Sequence, residues 1–263
     1  MLPAEALIRL AAFTSVLAGM AVWELSAPRR RLSMRRSRRW SSNLGLVLID
    51  SIVVRLLFPA GAVGAALLSA ENGVGLFNLV STPSWIAVVL SVVVLDLVIF
   101  GQHVLFPRIP LLWRLHRVHH ADIDFDVTTG VRFHPVEIVL SMLIKVAAVV
   151  AIGAPAVAVL AFEVLLNASA MFSHGNVRMP VRLERTLRRM VVTPEMHRVH
   201  HSILRQETDS NFGFNLSLWD RLFGTYREAP AAGHEGMTIG VSGLRDPREL
   251  ALHRMLLQPS RRL

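Results

Sequence analysis

Leu115-His116-Arg117-Val118-His119-His120 and Met196-His197-Arg198-Val199-His200-His201 are two copies of one pattern, H-x-x-H-H, in a chain of 263 residues. On a helix, positions i, i+3 and i+4 share a face, so each copy directs three imidazoles toward one cleft. Adjacent positions diverge by about 100° around the axis. One histidine of each adjacent pair can therefore serve one metal ion while its neighbour serves a second. A repeated ligand spacing is hard to attribute to surface composition and points to a dinuclear, histidine-ligated centre. Neutral imidazole binds Fe, Zn, Cu and Ni, so the boxes alone leave the metal open. The chain has no cysteine, which removes thiolate zinc sites, iron–sulfur clusters and disulfide scaffolds.

The boxes lie beside long apolar segments. Hydrophobic residues make up 52% of the chain, only 18% is charged, and mean hydropathy is +0.46, too apolar for an ordinary soluble domain. Stretches at about Leu7–Trp23, Leu44–Leu68 and Trp85–Phe106 each have the ~20 residues that a bilayer core requires. Between the second and third, residues 69–83 are rich in Gly, Ser, Asn and Pro and read as a short external loop. The apolar run from Val136 to Phe172 is interrupted by Gly153-Ala154-Pro155, which predicts a hairpin of two helices. The fold class expected is all-α: a polytopic membrane bundle of four to five helices with a small cytoplasmic helical cap carrying the boxes.

Formal net charge is +9, and Lys145 is the only lysine. Seven arginines fall between Arg29 and Arg39, directly after the first apolar span. That placement reads as a cytoplasmic anchor under the positive-inside bias and excludes nucleic acid as the expected partner. Glu5, not a basic leader, precedes the first span, so the segment reads as a retained helix and not a cleaved signal. With two crossings in the hairpin, the arginine run, both boxes and the C-terminal region fall on one side. Leu111–Ala121 and Val181–His201 read as amphipathic helices at that surface.

Single polar residues extend the candidate set. His103 follows Asp96 by seven residues on one face of the third span, and ionisable groups inside a span are functional candidates. His134, in Arg132-Phe133-His134-Pro135, and His174, in Phe172-Ser173-His174-Gly175, flank the hairpin at its cap end. The alternative for both is an interfacial helix cap. Asp96 either orients a histidine through its outer ring nitrogen or pairs with Arg55. Glu163 and Asn167 either extend a polar surface into the membrane or bond between helices. His234 and His253 have no ligand-like neighbours.

In this order the motifs resemble the fatty acid hydroxylase and sterol desaturase superfamily, integral-membrane non-haem diiron oxygenases. The residues that carry the resemblance are Asp96 and His103, Pro110 to His120, Arg-Phe-His-Pro around His134, Ser-His-Gly around His174, and His197 to His201. Asn211-Phe212-Gly213 and Leu218 to Tyr226 complete the set. The resemblance implies a metal-bearing pocket formed by His103, His116, His119, His120, His134, His174, His197, His200 and His201. It also implies supporting roles for Asp209, Asn211 and Asp220. It implies two iron ions, O2 as co-substrate and an external electron donor of cytochrome or ferredoxin type. The activity implied is hydroxylation or desaturation of a membrane lipid such as a sterol, fatty acyl chain or carotenoid, with hydroxylation favoured.

One position departs from the family pattern. Its first box is H-x-x-x-H, and the second histidine is replaced here by Pro107, which has no metal-binding side chain. A metal-stabilised lipid-binding scaffold and a metal-dependent hydrolase are the rival readings. The segments expected are residues 1–84, membrane helices with the basic loop; 85–226, the catalytic unit; and 227–263, a peripheral tail. The location expected is the cell inner membrane, with the site facing the cytoplasm.

Overall fold

The computed structural model describes residues 2–261. They form an all-α, polytopic membrane bundle, with five helical segments long and apolar enough to cross a bilayer. Helix α1 spans Leu2–Ser26, α2 Arg36–Leu57, α3 Gly61–Glu71, α4 Leu76–Leu79 and α5 Ser84–Arg108. Helix α6 (Pro110–His120) carries the first histidine box, α7 (Pro135–Ile152) and α8 (Ala156–Ser173) form the hairpin, α9 spans Val181–Leu187, and α10 (Pro194–His200) carries the second box. Met1 and residues 262–263, the ends of the first and last expected segments, lie outside the described residues.

Helix ends follow local chemistry. The stretch expected as one span over Leu44–Leu68 is broken into α2 and α3, because Pro59 has no amide hydrogen with which to continue the ladder. The hairpin turns where Gly153 takes the left-handed φ of 64° at the end of α7, a conformation that favours glycine, and Pro155 precedes the first turn of α8. Inside the bundle, Ala62 and Ala66 of α3 pack with Leu95 and Ile99 of α5, Val149 of α7 and Phe162 of α8. Large apolar residues such as Leu48, Leu56, Leu90, Leu143 and Leu165 are exposed on the outside, as a lipid-facing surface requires.

Helices α1, α5 and α8 end at the same face where α2 and α7 begin. The short helices and irregular segments therefore gather there as a cap, and all the histidine-bearing elements fall on one side.

The arginine run does more than anchor. Arg31, Arg35 and Arg38 are exposed, but Arg39 is fully buried. Its Nε and Nη2 donate to the two carboxylate oxygens of Asp122 at 2.8 and 2.7 Å, and its Nη1 donates to Asp126 Oδ2 at 2.6 Å. Arg29 pairs with Glu195 beside the second box, and Arg30 donates to the carbonyls of His234 and Met237. The basic loop thus ties the cap to the bundle through buried, forked ion pairs.

The tail expected to be peripheral is also packed. Met255 is buried with Leu46 of α2 and Val118 of α6. The Arg117 guanidinium donates to the carbonyl of Gln258 and, at 2.6 Å, to that of Arg261. The weak pattern after Tyr226 hid this, because the segment docks through a few apolar side chains and backbone acceptors.

Candidate metal centre

Two sets of four buried histidines come together: His103, His116, His120 and His200, and His119, His174, His197 and His201. Within each set the ligand nitrogens all lie within 4.8 Å of one another, close to the span that opposed bonds of about 2.1 Å would bridge. The first box gives its i, i+4 pair, His116 and His120, to the first set and His119 to the second. The second box does the reverse, giving His197 and His201 to the second set and His200 to the first. Each adjacent pair is therefore divided between the sets, as the angular offset of neighbouring helix positions predicts. His103 from α5 and His174 after α8 supply the fourth member of each. The sets abut, and the rings of His120 and His201 stack at 4.4 Å between centroids.

Hydrogen bonds fix the rings. In the first set, Nδ1 of His103 is 2.6 Å from the Phe212 carbonyl, Nδ1 of His116 is 2.6 Å from Glu137 Oε1, and Nδ1 of His200 is 2.7 Å from the Thr208 carbonyl. These partners only accept, so each Nδ1 carries the hydrogen and each Nε2 lone pair is free. Nε2 of His103, His116, His120 and His200 is buried without a partner among the described residues. Four buried, unpartnered ring nitrogens in one such set are what a metal ion would satisfy.

In the second set, Nδ1 of His174 bonds the Ala170 carbonyl at 2.7 Å, and its Nε2 lies 3.1 Å from Nε2 of both His119 and His201. Because Nδ1 holds the proton, three ring nitrogens crowd together where a cation relieves them. Gly130 makes room for this: a Cβ there would run into the Ala170 carbonyl beside the His174 ring. Phe133 stacks on His119 at 4.4 Å and closes the set from one side.

Burial, reinforced by neighbouring imidazoles, holds His119, His120, His197, His200 and His201 well below the usual imidazole range. Burial likewise pushes His174 down to about 3. These rings are neutral at neutral pH and available as ligands.

His134 stands outside both sets, a correction to the expectation. Its Nδ1 accepts from the Val136 amide as the cap of α7, and its Nε2 faces the Leu256 carbonyl at 3.2 Å, so both nitrogens are engaged elsewhere. Asp96 touches neither a histidine nor Arg55. It accepts from Asn215 Nδ2 and Trp219 Nε1, each at 2.8 Å, and from the Leu216 amide, anchoring the loop after the second box onto α5. Asp209 pairs with Arg205 at the surface. Asn211, at φ 54°, donates to the carbonyls of Met196 and Arg227 and so braces the box helix from behind. Asp220 accepts from the Phe212 and Gly213 amides, holding the segment whose carbonyl receives His103. Half-buried His234 lies 3.5 Å from Glu195.

Sequence reasoning missed Glu137, the partner of His116. Its signal was a carboxylate two residues beyond Pro135 in the first turn of a membrane helix. It also missed the Asp122, Asp124 and Asp126 series that receives Arg39 and the amides of Ser33 and Met34.

A cavity of about 580 Å³ runs through the bundle, with walls that are mainly apolar, and reaches His103 and His116. A smaller one, about 350 Å³, lies on the cap side and meets His120, Pro107, Arg117 and Ser202. The first set is thus the one that both cavities touch.

Comparison with known proteins agrees with this geometry. Over 164 residues the chain is 29% identical to an ornithine lipid hydroxylase of Rhizobium tropici, covering 61% of this chain and 47% of that protein. It is 26% identical over 183 residues to the alkylglycerol monooxygenase of Homo sapiens, covering 68% of this chain and 39% of that protein. The Xenopus tropicalis alkylglycerol monooxygenase matches at 27% over 124 residues, 47% of this chain and 27% of that one. The chain therefore spans less than half the length of these relatives. No solved structure matches it. The fatty acid hydroxylase family model matches residues 88–225, which hold all eight clustered histidines, and the chain belongs to that family.

Proposed function

We propose that the chain is an O2-dependent diiron oxygenase that hydroxylates a membrane lipid. The observation that carries the reading is the large cavity, which leads from within the apolar bundle to His103 and His116 of the first set. The ornithine lipid hydroxylase and alkylglycerol monooxygenase relatives, both named for oxidation of lipids, favour hydroxylation over desaturation. His103, His116, His120 and His200 would hold one iron and His119, His174, His197 and His201 the other. Bound iron supplies the oxygen activation that side-chain acid–base chemistry cannot provide for an unactivated C–H bond.

The chain's own residues do the rest. The apolar walls take the lipid tail out of the bilayer and exclude water from the reacting segment. Glu137 accepts a hydrogen bond from Nδ1 of His116, and the carbonyls of Phe212, Thr208 and Ala170 accept those of His103, His200 and His174, which keeps each ring in its ligating tautomer. Pro107 provides no ligand, so the first set has four nitrogens and an open flank toward the smaller cavity, the approach for water-borne reactants.

The cap faces the cytoplasm of an inner-membrane protein, where the exposed Arg31, Arg35 and Arg38 meet anionic lipid and a cytochrome or ferredoxin-type donor delivers electrons. Residues 85–226 form the catalytic unit, residues 1–84 supply additional membrane helices with the stapling loop, and residues 227–263 close the cap.

Lipid extracts of cells with and without the protein, grown under heavy-isotope dioxygen, test this. A lipid gaining one labelled oxygen, absent with His119→Ala, is the expected result. An unchanged lipidome with iron, oxygen and a competent reductant supplied overturns it in favour of a metal-stabilised lipid-binding scaffold. A product formed without O2 indicates a hydrolase.

A further inference from the structure

Three acceptor oxygens on the wall of the large cavity have no donor among the described residues: Oδ1 of Asp50, Oε1 of Gln102 and Oε2 of Glu137. Asp50 is 7% exposed and Glu137 3%, so bulk solvent does not satisfy them. The other oxygen of Glu137 is committed to His116. Two cations line the same cavity, Arg9 and Lys145, but both converge on Glu163, with Lys145 Nζ 2.7 Å from its Oε1. Arg55, one turn beyond Asp50 on α2, turns away to the Pro59 carbonyl. Among the described residues Asp50 has no ion-pair partner at all.

A buried acceptor left without a donor loses its hydration with nothing in return, and a carboxylate loses more than an amide. A fold that keeps three of them around one mainly apolar cavity, next to a metal-binding set, expects an occupant that brings hydrogens. A bare hydrocarbon satisfies none of them, and a free carboxylate or phosphate would set its own oxygens against those of Asp50 and Glu137.

We propose that the cavity selects a lipid bearing a hydrogen-bond-donating group, a hydroxyl or an ammonium, and that Asp50 is the residue that reads it, assisted by Gln102 and the free oxygen of Glu137. Docking that group on α2 sets which part of the apolar chain lies against His103 and His116, so Asp50 determines both which lipid enters and where it is presented. The inference rests on the reading of this cavity as the lipid site. It names the substrate class: amphiphiles with a donor-bearing polar group.

Four single-chain probes of equal length separate the alternatives: dodecylamine, dodecanol, dodecanoate and dodecane. Each is titrated into the metal-loaded protein in neutral detergent, and affinity is read from the rise in thermal unfolding midpoint. The expected result is that the amine or the alcohol binds roughly three- to ten-fold more tightly than dodecane, the range for one net hydrogen bond. Asp50→Leu removes that preference. Asp50→Asn keeps it for a hydroxyl, because the amide oxygen still accepts, and loses it for an ammonium, because the charge is gone. If Asp50→Leu does not fold, Asp50→Asn decides the amine arm and Gln102→Leu, with a smaller loss, the alcohol arm.

Equal binding of dodecanoate, or a donor preference that persists in the folded Asp50 and Gln102 variants, overturns the proposal. The assay needs no O2 or reductant. Selective binding without an oxidised product therefore contradicts the oxygenase reading alone, and an oxidised product without donor selectivity contradicts this inference alone.

Discussion

Glu137 Oε1 lies 2.6 Å from Nδ1 of His116, so a carboxylate in the first turn of α7 fixes the tautomer of a histidine on α6. The contact links the membrane hairpin to the first histidine set and holds Nε2 of His116 toward the other three rings. Removing it leaves the ligand in place but its orientation unset. Glu137→Ala is expected to weaken metal binding at the first set by roughly ten- to a hundred-fold, with the second set unaffected. Competition with a chelator measures this, and Glu137→Gln, which keeps an acceptor oxygen, should retain more metal than Glu137→Ala.

His134 tests the opposite case. It caps α7 and bonds the C-terminal segment, with no nitrogen directed to either set. His134→Ala should keep the full metal content and lose about 1 kcal/mol of stability, the usual worth of a helix cap. Loss of one metal ion from a folded His134→Ala protein would restore it to the ligand set.

Arg39 carries the union of cap and bundle, with all its side chain out of water and three short bonds to Asp122 and Asp126. Removing one partner strands buried charge, so Arg39→Ala should destabilise the protein by about 3–5 kcal/mol. Asp122→Asn should do so less severely. Unfolding in denaturant checks the size. An effect within about 0.5 kcal/mol, typical of an exposed position, would contradict a buried staple.

Acid should act on the histidine sets in a fixed direction. Burial lowers the folded-state pKa of His119, His120, His197, His200 and His201 well below 6.5, and that of His174 to about 3. The unfolded chain therefore binds more protons between these values and 6.5, and stability rises with pH across that interval. The contribution is complete above about 6.5 and is lost progressively as pH falls toward 3. Metal-free protein followed by thermal unfolding across this range should show a falling midpoint on acidification, and bound metal should be released in the same direction. A midpoint independent of pH over the interval contradicts the burial of these rings.

Much of this arrangement is legible in the sequence, for physical reasons. Helical periodicity fixes how H-x-x-H-H splits between two ions, because neighbours such as His119 and His120 diverge around an axis whatever the tertiary context. Span length and Gly153-Ala154-Pro155 give the hairpin. What remained hidden depends on contacts between distant segments. Nothing local to Arg39 distinguishes it from the exposed Arg38 until Asp122 and Asp126 are brought against it. His134 looks like a ligand by its neighbours, yet the Val136 amide and Leu256 carbonyl occupy its nitrogens. Asp96 was legible as functional by its place in a membrane helix, but its partners, Asn215, Leu216 and Trp219, come from more than a hundred residues away. Pro59 breaks the apolar stretch over Leu44–Leu68, which span length alone does not reveal.

The metal content of the purified protein, measured beside two single substitutions at adjacent positions, tests the central claim most directly. The account predicts two ions per wild-type chain, iron when iron is supplied. It predicts one ion each in His119→Ala and His120→Ala, with the surviving ion in the first set for the former and in the second set for the latter, giving different spectra. A folded wild-type chain that takes up no transition metal, or adjacent variants that lose the same ion, would contradict two separate four-histidine sites.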